Sequence, residues 1–106
     1  MEVAAMKRGT TPVLPVTIDM NVELISEIEF VFKSEFEEEA PVLLMKKFPD
    51  EVSYHDNAFY IPFTEKETRL FARQFYMDTR ITTVSGSIPE TEICKLYMNP
   101  TLFEEA

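Results

Sequence analysis

Apolar and polar residues alternate along most of this chain, and a period of two marks a strand with one buried face. Leu14, Val16 and Ile18 share one side while Pro15, Thr17 and Asp19 share the other, which predicts a strand over 13–19. Pro15 places that strand at a sheet edge, because proline has no amide to give a ladder. Ile28, Phe30 and Phe32 alternate with Glu27, Glu29 and Lys33, so a large apolar face lies opposite a charged one. The run Val42-Leu43-Leu44-Met45-Lys46-Lys47 predicts a third strand, broken by Phe48-Pro49-Asp50. Val52 and Tyr54 begin a fourth, Asp56-Asn57 supplies hairpin-turn chemistry, and Phe59, Ile61 and Phe63 alternate with Tyr60 and Pro62 on the return. Phe75, Met77, Thr79 and Ile81 alternate with Gln74, Tyr76, Asp78 and Arg80. A turn at Ser85-Gly86-Ser87 then leads to a last strand over 90–98, ended by Asn99-Pro100.

One helical signal interrupts the strands. Thr64-Glu65-Lys66-Glu67 has the layout of a capping box, in which the threonine hydroxyl and the glutamate carboxylate each accept from the other's amide. It predicts a single helical turn over 65–70. Six or seven short strands with one helical turn make an all-β fold, a small antiparallel β-sandwich of immunoglobulin-like type. Residues 1–11 read as an N-terminal extension or arm, 12–99 as the sandwich and 100–106 as an acidic tail. Residues 1–5, upstream of a second methionine at Met6, stand outside the fold on this reading.

The chain has 106 residues, the length of one domain. Nine Phe and four Tyr make its core aromatic-rich. The 19 acidic residues outnumber 10 Lys and Arg, for a net charge of -9. That sign opposes phosphate backbones and anionic membrane surfaces, and no apolar run approaches the roughly 20 residues of a membrane helix. Glu35 and Glu37-Glu38-Glu39, interrupted by Phe36, repel one another and predict a solvated turn. A single cysteine excludes an intrachain disulfide and argues against structural zinc.

Candidate chemistry is thin. Cys94, expected on the buried face with Leu96 and Met98, and His55, the sole histidine, are the only pair able to form a nucleophile and base. No glycine elbow flanks either, and Ser85 and Ser87 have turn neighbours and no second histidine. Asp50, Glu51, His55 and Asp56 cluster, but their spacing matches no calcium loop. Gly9 and Gly86 cannot build a phosphate-binding loop. Arg69, Phe71, Arg73, Phe75 and Tyr76 form one basic-aromatic stretch, whose phenylalanines belong to the inferred core. The expectation is a protein with no catalytic, cofactor, metal or small-molecule site and no nucleic-acid or membrane partner.

The most distinctive segment is Lys7-Arg8-Gly9-Thr10-Thr11-Pro12, an extended polar stretch that either leads into the fold or crosses to a neighbouring subunit by strand addition. With Met6 and the alternating strand after it, this opening resembles a group of short proteins encoded in prophage structural regions of Firmicutes, which begin Arg-Gly-Thr-Thr-Pro. The resemblance continues in Ile28-Glu29-Phe30-Val31-Phe32 and in Phe63-Thr64-Glu65-Lys66-Glu67-Thr68. It ends in Asp78-Thr79-Arg80-Ile81, the Gly86 turn and the acidic end after Leu102. Gln74 and Arg80 stand farther apart than the corresponding pair of that family. The resemblance implies a small β-sandwich tied to phage tail or virion assembly, with no catalytic or cofactor residues. The expected function is a non-enzymatic structural or assembly protein acting through protein partners or self-association, in the host cytoplasm or the virion. Two alternatives are an acidic inhibitor imitating nucleic-acid charge through Glu27, Glu29 and Glu35 to Glu39, and a carbohydrate-binding module, which the absence of Trp counts against and which Tyr54, Tyr60 or Tyr76 exposed in a row would support.

Overall fold

A computed structural model describes residues 5–103; Met1-Glu2-Val3-Ala4 and Glu104-Glu105-Ala106 lie outside them. The strands are β1 (Ala5–Lys7), β2 (Val13–Val16), β3 (Ile25–Lys33), β4 (Leu44–Phe48), β5 (Ser53–His55), β6 (Ala58–Pro62), β7 (Gln74–Thr83) and β8 (Cys94–Asn99). They form a five-stranded sheet in the order β1-β8-β7-β3-β4 and a three-stranded sheet in the order β2-β6-β5. In immunoglobulin lettering these are A′, G, F, C and C′ facing B, E and D, so the expected sandwich is present with that topology. The inter-sheet disulfide and buried tryptophan of antibody domains are absent, since the sequence has one Cys and no Trp. Phenylalanines fill the space instead.

Alternation decides which side of each strand is buried. Ile28, Phe30 and Phe32 of β3, Phe75 and Met77 of β7, and Leu96 and Met98 of β8 point inward, against Leu14, Val16, Phe59 and Ile61 of the smaller sheet. At one end the ring of Phe32 meets Phe63 at 5.3 Å, Phe71 at 5.9 Å and Phe75 at 6.4 Å between centroids, and Phe71 stacks on Phe75 at 4.3 Å. Such offset and edge-on arrangements match the positive ring edge to the negative face. Pro15 sits on β2, an edge strand, as its missing amide requires. Asp56 and Asn57 adopt φ of 50° and 63°, the left-handed pair of a two-residue hairpin between β5 and β6. Thr64 and Glu67 form both bonds of the capping box at the head of α1 (Glu65–Thr68).

Several boundaries differ from the sequence expectation. The described residues form eight strands, and β1 runs parallel to β8, with Met6 paired with Met98 and buried. A three-residue strand with one buried residue shows too little alternation to be seen. The sheet therefore includes part of the segment read as an extension. The first predicted strand stops at Val16 rather than 19, and a 3-10 turn at Val22–Leu24, capped by the Asn21 side chain, starts β3 early at Ile25. The third strand starts at Leu44, because the acidic loop extends through Leu43. The helical turn ends at Thr68 rather than 70, where Arg69 and Leu70 donate to Lys66 and Glu67 carbonyls. The last strand begins at Cys94 rather than 90. Residues 90–93 run without strand pairing, tied to β7 by the Thr91 hydroxyl donating to the Thr79 carbonyl.

Candidate functional site on the outer face of the five-stranded sheet

The inner faces of the two sheets cover each other, and the outer face of the larger sheet is left open. Strand register sets its side chains in rows: Met45, Val31 and Asp78 lie abreast, as do Lys47, Glu29 and Arg80, and then Lys33, Tyr76 and Lys95. The loop between β3 and β4 folds back over this face. Lys33 Nζ donates to the carbonyls of Glu38 at 2.7 Å and Glu37 at 3.4 Å, and the Phe36 ring stands edge-on to Tyr76 at 5.5 Å. The result is a groove of about 570 Å³ floored and walled by Val31, Phe36, Val42, Met45, Tyr76 and Ile93. Phe36 is 63% exposed and Val42 49%, so this apolar surface faces solvent. Glu29, Glu35, Glu37, Glu38 and Asp78 surround it with only two cations, Lys33 and Arg80.

The segment Lys7 to Pro12 lies at the opposite edge and is occupied within the chain. The Arg8 amide donates to the Asn99 carbonyl at 2.9 Å, and the Arg8 guanidinium donates to the Phe71 carbonyl at 2.8 Å. The Gly9 amide donates to Thr68 Oγ1 at 2.9 Å, while the Thr68 hydroxyl donates to the Glu65 carbonyl. Phe63 N–H reaches the Pro12 carbonyl at 3.0 Å. The two motif segments singled out in the sequence, 8–12 and 63–68, thus close on each other around Thr68, which is fully buried. β1 pairs with β8 of its own chain. Gly9 holds φ +78°, and a Cβ there would lie 2.8 Å from Arg69 Nη2. Gly9→Ala is expected to cost about 1–2 kcal/mol through left-handed strain and displacement of Arg69. Thermal unfolding should register this as a midpoint several degrees lower.

The remaining candidates are scattered. Cys94 lies on β8 of the larger sheet and is half-buried, while His55 lies on β5 of the smaller sheet with its ring 4.2 Å from Tyr60. The Cys94 thiol is directed to the Glu92 carbonyl. Burial, with the carboxylates of Glu92 and Asp78 nearby, pushes that thiol above its ordinary value of 9.0, which disfavours the nucleophilic thiolate. Glu51 accepts from the Lys47 amide, and among the described residues no three His, Cys, Asp or Glu groups converge as metal ligands. Phe71 and Phe75 of the basic-aromatic stretch are core residues. Tyr54 and Tyr60 lie on β5 and β6 of the smaller sheet and Tyr76 on β7 of the larger one, so the three tyrosines form no row. Leu102 and Phe103 of the tail are exposed. No helix among the described residues is long and apolar enough to cross a membrane.

Sequence reasoning missed Lys46. It points inward from β4 with its side chain 8% exposed, and its Nζ lies 3.0 Å from Glu67 Oε1. The same oxygen accepts the Thr64 amide at 2.8 Å. A lysine at an inward position of the alternation was the available signal.

No protein-family model matches the chain, and no curated protein is significantly similar to it. Among solved structures it is similar to the extracellular domain of the voltage-gated sodium channel beta4 subunit, described as a parallel homodimer with a role in cell-cell adhesion. The identity is 11% over 93% of this chain and 89% of that one, with a TM-score of 0.46. A second structure, from work on multimeric cell-adhesive interactions of sodium channel beta subunits, matches at 11% identity over 94% and 91% with a TM-score of 0.47.

Proposed function

We propose that this protein is a non-enzymatic interaction domain that works by contact through the outer face of its five-stranded sheet. The observation that carries this reading is the groove, where exposed Met45 of β4 lies with exposed Phe36 and Val42 of the covering loop and Ile93 just before β8. A contiguous apolar patch with a charged rim is the usual form of a protein contact surface. The placement of Cys94 and His55 in different sheets, with the thiol held protonated, supports the non-enzymatic part. The finer reading is a structural or assembly component of a prophage, in the host cytoplasm or the virion; its support is the resemblance in segments 6–12, 28–32 and 63–68. The acids offer the nucleic-acid mimic less. Beside those at the groove, Asp19, Glu23, Asp50, Asp56, Glu65 and Glu90 lie at the sandwich ends and loops rather than along one surface.

Light scattering on the chain alone and mixed with the products of neighbouring genes tests the proposal. A complex is expected, and Met45→Asp on the groove floor is expected to weaken it at least tenfold while leaving the fold intact. A strict monomer at high concentration that binds none of those products would overturn the reading.

A further inference from the structure

Resting on that reading, we infer that the groove takes a polypeptide segment bearing an apolar side chain flanked by arginine or lysine. Five carboxylates border the groove against two lining cations, Lys33 and Arg80. Lys33 is held in place by the carbonyls of Glu37 and Glu38, and Arg80 lies across from Glu29 on the neighbouring strand, so the acids outnumber the cations at the rim. The field over the apolar floor is therefore negative, and an incoming cation is attracted to it. Arginine suits the site best. Its guanidinium pairs with carboxylates through two bonds, and the edge-on rings of Phe36 and Tyr76 offer an aromatic face beside those carboxylates. The floor accepts an aliphatic or aromatic side chain, and the flexible thioether of Met45 lets it adjust.

Charge also decides between occupants. A second copy presents the same acidic rim and a net charge of -9, so face-to-face pairing sets carboxylates against carboxylates. The chain's own exposed Leu102-Phe103 is followed by Glu104-Glu105, again the wrong sign. A basic-apolar segment of a different protein satisfies both floor and rim.

Isotope-labelled full chain titrated with two short synthetic peptides tests this by amide NMR. One carries leucine and phenylalanine flanked by arginine, and the other has glutamate in place of each arginine. The arginine peptide is expected to shift the amides of Val31, Phe36, Met45, Asp78 and Ile93 saturably, and its affinity to fall about tenfold from low to high salt as screening shortens. The variant Glu35→Lys/Glu37→Lys/Glu38→Lys, altered only in an exposed loop, should lose about tenfold in affinity for it. Equal binding of the glutamate peptide at the groove, or unchanged binding by the charge-reversed loop, overturns the partner chemistry while leaving the face as a contact surface. Shifts that map only to other faces, or no shift with either peptide, also overturn it. In that case self-association sensitive to Met45→Asp would still uphold the contact surface, and its absence together with no partner would sink both.

Discussion

Glu67→Ala is expected to destabilise the fold by about 4 kcal/mol, chiefly because it leaves the Lys46 ammonium buried without its counter-charge. Lys46 lies inside the sandwich edge at 8% exposure, with Glu67 Oε1 3.0 Å away. The substitution also removes the carboxylate arm of the capping box, a loss of about 1 kcal/mol. Against a typical total of 5–15 kcal/mol, a change of this size lowers the urea midpoint sharply. Lys46→Met/Glu67→Gln is the informative companion. Replacing both charges with groups of similar shape is expected to recover most of the loss, since a buried ion pair gains little over well-packed neutral residues. If the double variant is as unstable as Glu67→Ala, the cost lies elsewhere than in the orphaned charge.

The same pair predicts a pH dependence. Burial works to raise the Glu67 carboxyl, but the Thr64 amide and the Lys46 ammonium outweigh it and hold the group below its ordinary value of 4.5. A depressed carboxyl stabilises the folded state fully above about pH 4.5, and that contribution fades as pH falls through the folded value. The stability gap between wild type and Glu67→Gln is therefore expected to be constant near neutrality and to narrow in acid. A gap that widens on acidification would contradict this.

Phe32→Ala is expected to cost a comparable amount, about 3–5 kcal/mol, by opening a cavity at the aromatic end of the core. Phe32 is fully buried and central to a cluster with Phe63, Phe71 and Phe75, contributed by β3, the approach to α1, the loop after it, and β7. Phe32 comes from a strand distant in sequence, while its three partners are held by α1 and β7 within 63–75, so the space cannot close by movement of one side chain. Phe32→Leu keeps much of the volume and should cost about 1–2 kcal/mol. Calorimetry distinguishes the two, and equal midpoints would mean that the cluster repacks freely.

Elements that local chemistry specifies were readable along the chain. The inward set of Ile28, Phe30 and Phe32 follows from a period of two, and the left-handed hairpin at Asp56-Asn57 from side chains that tolerate positive φ. The capping box at Thr64 and Glu67 follows from three-residue spacing, and the edge position of β2 from the missing amide of Pro15. Residues whose role depends on a distant partner were not readable. Lys46 is buried because Glu67, 21 residues later, arrives beside it. Met6 joins the core because β8, at the other end of the chain, offers an edge. The segment at Arg8, Gly9 and Thr10 looked like an arm because its partners, Thr68 and Phe71, are about sixty residues away.

The groove shows the same division. Sequence alone determined that Val31, Tyr76 and Asp78 face outward, since alternation fixes the side once the buried set is known, whereas the unbroken apolar run before Lys46 left the side of Met45 open. It also determined that the acidic loop carries Phe36 in its midst. Only the tertiary structure decided that these residues meet. The register of β3 between β4 and β7 sets Met45, Val31 and Asp78 abreast, and Lys33 ties the loop back so that Phe36 reaches Tyr76. The physical reason is that side-chain direction is a property of each strand, whereas a concave surface is a property of the order in which strands pair.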